Sequence, residues 1–134
     1  MEMKGFNERR KEPRHKICID VKIIAPKSSF WALASNISGG GLELQVPITL
    51  NPQTQLMTSM KLQEEFVFHG KVIWTLGDFV DNRWVYRVGT KTDTINFKNR
   101  RATTAVEKAE LVKKILPQIK AKGTEDTLLM QMFG

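Results

Sequence analysis

Short stretches in which apolar and polar residues alternate dominate the chain between residues 17 and 92. In the first, apolar residues occupy every second position from Ile17 to Ile23, and Pro26 ends the run. Gly70 is expected to mark a bulge inside a later, longer run. The remaining runs lie at residues 30–34, 42–46, 56–62, 66–74 and 84–88, and residues 77–82 form a connecting turn. Six or seven short strands separated by turn residues predict a mainly β chain, folded as an antiparallel barrel or sandwich.

After Lys91 the spacing of the apolar residues changes to three or four, which predicts an amphipathic helix. Pro117 is expected to end or kink this helix, Gly123 to stop it, and Thr124 to cap a short final helix. The residues that define the period are Ala102, Val106, Ala109, Val112, Leu116 and Ile119. The chain therefore divides into a flexible polar leader (residues 1–16), a β-barrel (17–92) and a C-terminal helical region (93–134).

The charge distribution favours an anionic partner. The net charge is +7, and basic residues concentrate near both ends of the chain. No early segment resembles a signal peptide, and no apolar run is long enough to insert into a membrane. Cys18 is the single cysteine, which excludes an internal disulfide and is typical of a reducing compartment. We expect a cytoplasmic protein.

Candidate catalytic and metal-binding residues are few. His15 and His69 have no cysteine or carboxylate at the spacing of zinc ligands, so no metal site is expected. Glu64 and Glu65 are adjacent on a predicted strand and point to opposite faces, which makes them a poor acid/base pair. No nucleophile elbow, P-loop or dinucleotide fingerprint occurs. The sequence predicts a binding protein without catalytic residues or a cofactor, rather than an enzyme.

Two short motifs flank the first predicted strand. Arg10-Lys11-Glu12-Pro13-Arg14 is an R-x-x-x-R in the basic leader, and Asn36-Ile37-Ser38-Gly39-Gly40-Gly41 is an N-x-S-x-x-G between two strands. Taken separately, the first is compatible with a solvated tail and the second with a plain β-turn. In this order and at this separation, however, the pair resembles the signature of PilZ domains, bacterial receptors for cyclic diguanylate (c-di-GMP).

The resemblance implies a PilZ-like barrel with a C-terminal helix over about residues 9–116, and a ligand site at the two motifs. Arginine suits this ligand because guanidinium groups form bidentate bonds with phosphate and with the O6 and N7 atoms of guanine, and stack on bases. Arg10 and Arg14 would clamp phosphates and guanine. The resemblance further implies that Arg9 accompanies binding of two ligands per protomer.

In the second motif, Asn36 and Ser38 would read the other guanine. Gly41 would provide either a positive φ or a close backbone approach that a Cβ would block. Gly39 and Gly40 are secondary candidates in the same turn. Trp74 is expected on the same strand face as Phe66, Phe68 and Val72, and therefore in the core. In some PilZ domains, however, the residue at this position lies at the edge of the ligand pocket. The chain departs from the family after Gly89, where Thr90-Lys91-Thr92 replaces a segment that often carries an aromatic residue.

The leading hypothesis is a receptor that binds c-di-GMP and signals to an unidentified protein partner by ordering residues 5–16 against the barrel. One alternative is a basic β-barrel that binds nucleic acid, which is disfavoured because no RRM or cold-shock sequence is present. The other is a PilZ-like adaptor that binds no ligand, although such proteins usually lack the arginines.

Overall fold

The computed structural model describes residues 13–133, with side chains described as far as residue 123. The predicted leader, including Arg9 and Arg10, lies outside these residues except at its last positions. The chain forms seven strands and one helix: β1 (His15–Ile24), β2 (Ser29–Ser38), β3 (Gly41–Val46), β4 (Gln55–Lys61), β5 (Glu65–Val80), β6 (Arg83–Phe97), β7 (Arg100–Ala102) and α1 (Ala105–Phe133). The first strand thus begins two residues before the predicted start of the barrel.

The strands form a closed antiparallel ring. The order in the sheet is β3-β2-β1-β4-β5-β6-β7, and an additional pairing between β3 and β6 joins the two sides. β7 continues the sheet beyond β6 and lies outside the ring. The predicted mainly β antiparallel barrel with a C-terminal helix is therefore confirmed.

The core lies inside the ring and follows the alternation in the sequence. Val21 and Ile23 of β1 are fully buried, while the intervening Lys22 is not. Phe66 and Phe97 stack with their ring centroids 4.8 Å apart, which fills the end of the barrel beneath the helix. A shift of register between His69 and Gly70 confirms the predicted irregularity at this glycine.

The hairpin between β5 and β6 is tighter than predicted. Its turn is only Asp81 and Asn82, both at positive φ (51° and 64°), as a two-residue type I′ turn requires. The prediction of a turn from Gly77 to Asn82 was therefore wrong at its first four positions, where β5 continues. Asparagine and aspartate tolerate the left-handed conformation, so the local sequence determined the turn better than Gly77 did.

The helical region also begins later than predicted. β6 continues to Phe97 and β7 includes Ala102, so the strands extend ten residues past the predicted boundary at 92. α1 starts after Thr104, whose hydroxyl accepts a bond from the Glu107 N–H (3.1 Å). The Glu107 carboxylate accepts in return from the Thr104 N–H (3.1 Å), which completes a capping box. These backbone bonds from Thr104 and its neighbour Thr103 lower the pKa of Glu107.

The helix then runs without interruption to Phe133. The predicted end of the helix at Pro117, its stop at Gly123 and the separate final helix after Thr124 were therefore wrong. The alternative of a kink at Pro117 stays a prediction. Val112 and Ile115 of α1 are buried against the barrel, and this packing lies directly before Pro117. Gln118, one residue beyond Pro117, donates from Nε2 to Glu64 Oε1 (3.1 Å) and accepts at Oε1 from the Glu64 N–H (3.3 Å). Contacts on both sides of Pro117 stabilise the helix across the position where a hydrogen bond is missing.

No helix in the described part of the chain is long and apolar enough to span a membrane.

Candidate functional site

A row of outward-facing positions crosses five strands of the barrel. Asn36 of β2 lies opposite Glu43 of β3, Glu43 lies opposite Gly89 of β6, and Gly89 lies opposite Trp74 of β5. On the other side of Asn36 the row continues to Lys16 of β1. Directly opposed residues share a face of the sheet, so these five positions border one continuous surface.

Asn36 is held by hydrogen bonds on this surface. A register shift between Ala34 and Asn36 brings two neighbouring side chains of β2 to the same carboxylate. Ser35 Oγ donates to Glu43 Oε2 at 2.9 Å, and Asn36 Nδ2 donates to the same oxygen at 3.0 Å. The polar end of β2 is therefore anchored to β3 by a bulge.

Arg87 of β6 binds the other oxygen of the same carboxylate. Its Nη2 lies 3.2 Å from Glu43 Oε1, and the side chains are 37% and 17% exposed. Burial opposes ionisation of Glu43, but the hydrogen bonds from Ser35, Asn36 and Arg87, with the charge of Arg87, outweigh it. The pKa of Glu43 therefore lies below the ordinary value for a glutamate. At neutral pH the surface contains an ionised acid that is neutralised by an arginine.

The turn between β2 and β3 is fixed through Ser38 and β6. Ser38 Oγ accepts from the Gly40 N–H at 3.2 Å, which closes the turn locally. Thr90 Oγ1 accepts from the Leu42 N–H (3.1 Å) and donates to the Leu42 carbonyl (3.0 Å). The Thr92 N–H also donates to the Gly40 carbonyl (2.9 Å). The segment where the sequence departs from the family thus stabilises the motif turn directly.

Gly41 is required by a close approach and not by its φ. A Cβ at this position would collide with the carbonyl oxygen of Thr90. No glycine in the described chain, including Gly39 and Gly40, has a positive φ. Of the two reasons proposed for Gly41, the blocked approach is therefore confirmed and the positive φ was wrong.

Trp74 lies on the surface and not in the core. A register shift between Val72 and Trp74 adds one residue to β5 and reverses the alternation, so the expectation that Trp74 shares the face of Phe66 and Val72 was wrong. Its side chain is 38% exposed, and its indole covers Gly89, where a Cβ would collide with the ring. The bulge thus places an aromatic ring over Gly89, whose neighbour on β3 is Glu43.

Arg14 precedes β1 and is exposed. His15, the next residue, pairs with Ile37. The backbone at Arg14 therefore lies beside the end of β2 that carries Ser38. The two motifs are therefore brought together at Arg14, Asn36 and Ser38, while Arg9 and Arg10 lie outside the described residues. Within residues 13–123, whose side chains the structure describes, no group of three histidine, cysteine, aspartate or glutamate residues could hold a metal ion.

Comparison with known families identifies this arrangement. The model of the PilZ domain matches residues 8–105, which includes both motifs and all seven strands. The chain belongs to the PilZ domain family. The resemblance inferred from the two motifs is confirmed.

Two solved structures share the fold of this PilZ domain. One is the Bacillus subtilis inhibitor of motility MotI/DgrA (TM-score 0.60, 17% identity), covering 81% of this chain and 50% of that chain. The other is the complex of K. pneumonia MrkH with c-di-GMP (TM-score 0.59, 15% identity), covering 88% of this chain and 55% of that chain. The chain thus spans about half the length of either structure. A search of curated proteins gave no match.

Sequence reasoning missed Ser35, Glu43 and Arg87 in this PilZ domain. Each is polar at a position of a strand that the alternation already assigns to the outer face, but nothing local indicates that three strands converge there. The pairing of β3 with β6, separated by more than 40 residues, brings Arg87 to Glu43. An acidic residue two positions after the N-x-S-x-x-G motif was the one available signal.

Proposed function

We propose that this PilZ domain is a receptor for c-di-GMP, and that the row from Asn36 to Trp74 is the surface that receives the ligand. The observation that carries the proposal is the pairing of His15 with Ile37 and of Lys16 with Asn36, which brings the chain at Arg14 next to the end of β2 that carries Asn36 and Ser38. This face combines a cation, an amide and a hydroxyl, which suit phosphate and a guanine edge. The fold shared with MrkH, a protein solved in complex with c-di-GMP, supports the same conclusion.

The residues have distinct roles in this proposal. Arg10 and Arg14 clamp phosphate and guanine, and Asn36 and Ser38 read the second guanine. Gly41 lets β3 approach β6, and Gly39 and Gly40 leave the turn without side chains. Trp74 provides an apolar ring at the edge of the surface. Arg9 adds the charge needed for a second ligand on the same protomer.

The output in this proposal is a change of surface and not a reaction. The segment with Arg10 and Arg14 closes over the ligand, and the altered surface is recognised by a protein partner in the cytoplasm. The cytoplasm is a reducing compartment, which agrees with the single cysteine of the chain.

Calorimetric titration of the full chain with c-di-GMP tests the proposal, with cyclic diadenylate as the comparison ligand. We expect saturable binding of the guanine ligand alone, and the stoichiometry distinguishes one ligand from two. Arg14→Ala should abolish binding. Arg100 is an exposed arginine of β7, which pairs with the C-terminal end of β6, so Arg100→Ala should leave binding unchanged. Absence of heat with c-di-GMP would reject the receptor. Binding of both dinucleotides with a steep dependence on salt would instead indicate a general nucleic-acid surface.

A further inference from the structure

The orientation of the Asn36 amide is determined by Glu43. An ionised carboxylate only accepts hydrogen bonds, so the amide nitrogen of Asn36 must face it, as the 3.0 Å bond from Nδ2 to Glu43 Oε2 shows. The amide oxygen is then turned away from β3. Among the described residues, Oδ1 accepts no side-chain hydrogen bond.

Glu43 is itself prevented from turning. Ser35 shares Oε2 with Asn36, and Arg87 holds Oε1 at 3.2 Å, so both carboxylate oxygens already have partners. The positive charge of Arg87 compensates the carboxylate beneath a surface that would receive an anionic ligand. The amide is thereby held in one orientation by three other side chains, which come from three strands.

An amide fixed in this way distinguishes guanine from its analogues. The Watson–Crick edge of guanine presents only donors beside its O6, at N1–H and the N2 amino group, and Asn36 Oδ1 is an acceptor that suits them. Adenine presents an acceptor at N1, and hypoxanthine lacks the N2 amino group. A freely rotating amide could adapt to each of these bases, whereas a fixed one cannot.

We propose that Glu43 is a positioning residue that fixes the Asn36 amide with its oxygen outward and thereby determines selectivity for guanine. The inference rests on the proposed function, since it assigns a specificity device to the same site. It also explains why asparagine suits this chain at position 36. An aspartate there would bring a second carboxylate to about the distance now bridged by a hydrogen bond, and like charges at that distance repel.

Glu43→Gln should weaken ligand binding in the wild-type protein and restore it in the Asn36→Asp variant. In Glu43→Gln the glutamine oxygen stays with Arg87, so its amide nitrogen faces Asn36, and the Asn36 amide turns its own nitrogen outward. We expect the affinity for c-di-GMP to fall about tenfold and the preference over cyclic di-inosinate to disappear. Asn36→Asp alone should also weaken binding, because its carboxylate meets that of Glu43. In the double variant, the introduced glutamine amide donates to the introduced aspartate carboxylate, and binding should recover.

The experiment is a double-mutant cycle of these variants, measured by calorimetry with c-di-GMP and cyclic di-inosinate. Glu110→Gln, which removes an exposed helix carboxylate, is the matched control and should behave as the wild type. Circular dichroism and melting confirm that each variant is folded. Recovery in the double variant supports the positioning role, because a glutamate that acted on the fold independently of the Asn36 amide would make the two losses add. Additive losses, or unchanged selectivity in Glu43→Gln, would overturn it.

A ligand-free measurement separates this inference from the function on which it rests. In the wild type, the Asn36 side-chain amide protons should give NMR signals displaced by the carboxylate, and Glu43→Gln should move them. If the wild type binds no c-di-GMP, the receptor proposal fails and the assignment of selectivity fails with it. If the wild type binds but these signals do not respond to Glu43→Gln, the positioning role alone is wrong.

Discussion

The contact between Gly41 and Thr90 makes a sharp prediction for stability. In Gly41→Ala the new methyl group would lie far inside 3.0 Å of the Thr90 carbonyl oxygen, a distance that Cβ atoms essentially never show. The obstacle is backbone and not a flexible side chain, so β3 and β6 must separate. The bonds that depend on their present spacing are the pair between Leu42 and Thr90 and the one from Thr92 to Gly40.

The expected loss follows from these three hydrogen bonds. At about 1 kcal/mol each, their disruption costs about 3 kcal/mol. For a domain of this size that corresponds to a fall in Tm of about 10 °C. Thermal and urea unfolding followed by circular dichroism measure both quantities.

Gly77→Ala is the matched control. Gly77 also lies on a strand, but the nearest atoms to an added Cβ are the rings of Trp84 and Tyr86 at 3.8 Å, an ordinary contact. We expect this variant to melt at or slightly above the wild-type temperature, because alanine reduces the entropy of the unfolded chain. A Gly41→Ala protein that melts within about 2 °C of the wild type would refute the reasoning.

Three further predictions concern the helix, Trp74 at the edge of the ligand surface, and the half-buried Glu43. Gly123→Ala should raise the free energy of unfolding by about 0.5–1 kcal/mol, because Gly123 lies inside a helix and an added Cβ would meet no described atom outside the helix backbone within 4 Å; a lower Tm would contradict the uninterrupted helix. Trp74→Ala should weaken c-di-GMP binding about tenfold by analogy with base stacking, while Trp84→Ala, 65% exposed at the hairpin tip, should not; equal losses would contradict the assigned edge. Because the folded-state pKa of Glu43 is lowered, its contribution to stability is complete above the unfolded pKa and is lost as pH falls through the folded value. Unfolding measured from pH 7 to 3 should therefore show a smaller acid-induced loss in Glu43→Gln than in the wild type below about pH 4, and identical curves would contradict the pairing.

The sequence predicts the parts of this fold that depend on local period. The apolar residues that alternate from Ile17 to Ile23 face the core with one exception at the strand entry, where Ile17 is only partly buried. Alternation predicts the wrong face wherever a strand contains an extra residue. The bulge before Trp74 is defined by the pairing of β5 with β6, so it cannot be recognised from the sequence of β5 alone. Pro117 is a strong local signal that tertiary contacts override.

The motif residues of the site were predictable from the sequence, but the hydrogen bonds that connect them to other strands were not. Asn36, Ser38 and Gly41 are recognisable as a motif, and the structure puts them in one hairpin. The network beneath them depends on the pairing of β3 with β6, which closes a ring over a long stretch of sequence. Such pairing depends on the whole chain, so Arg87 could not be connected to the motif from the sequence alone.

The closed ring determines where a partner could add a strand. Where a strand of the ring pairs on both sides, its backbone offers no free edge to an extended peptide. Among the described residues, two places where strands lack a second partner are the far edge of β7, and the end of the hairpin beyond Tyr86, where β5 and β6 pair only with each other. Either place is an edge at which a partner could bind by β-augmentation. The hairpin edge is continuous with the strands that carry Trp74 and Arg87, so a peptide bound there would extend the same sheet that forms the ligand surface.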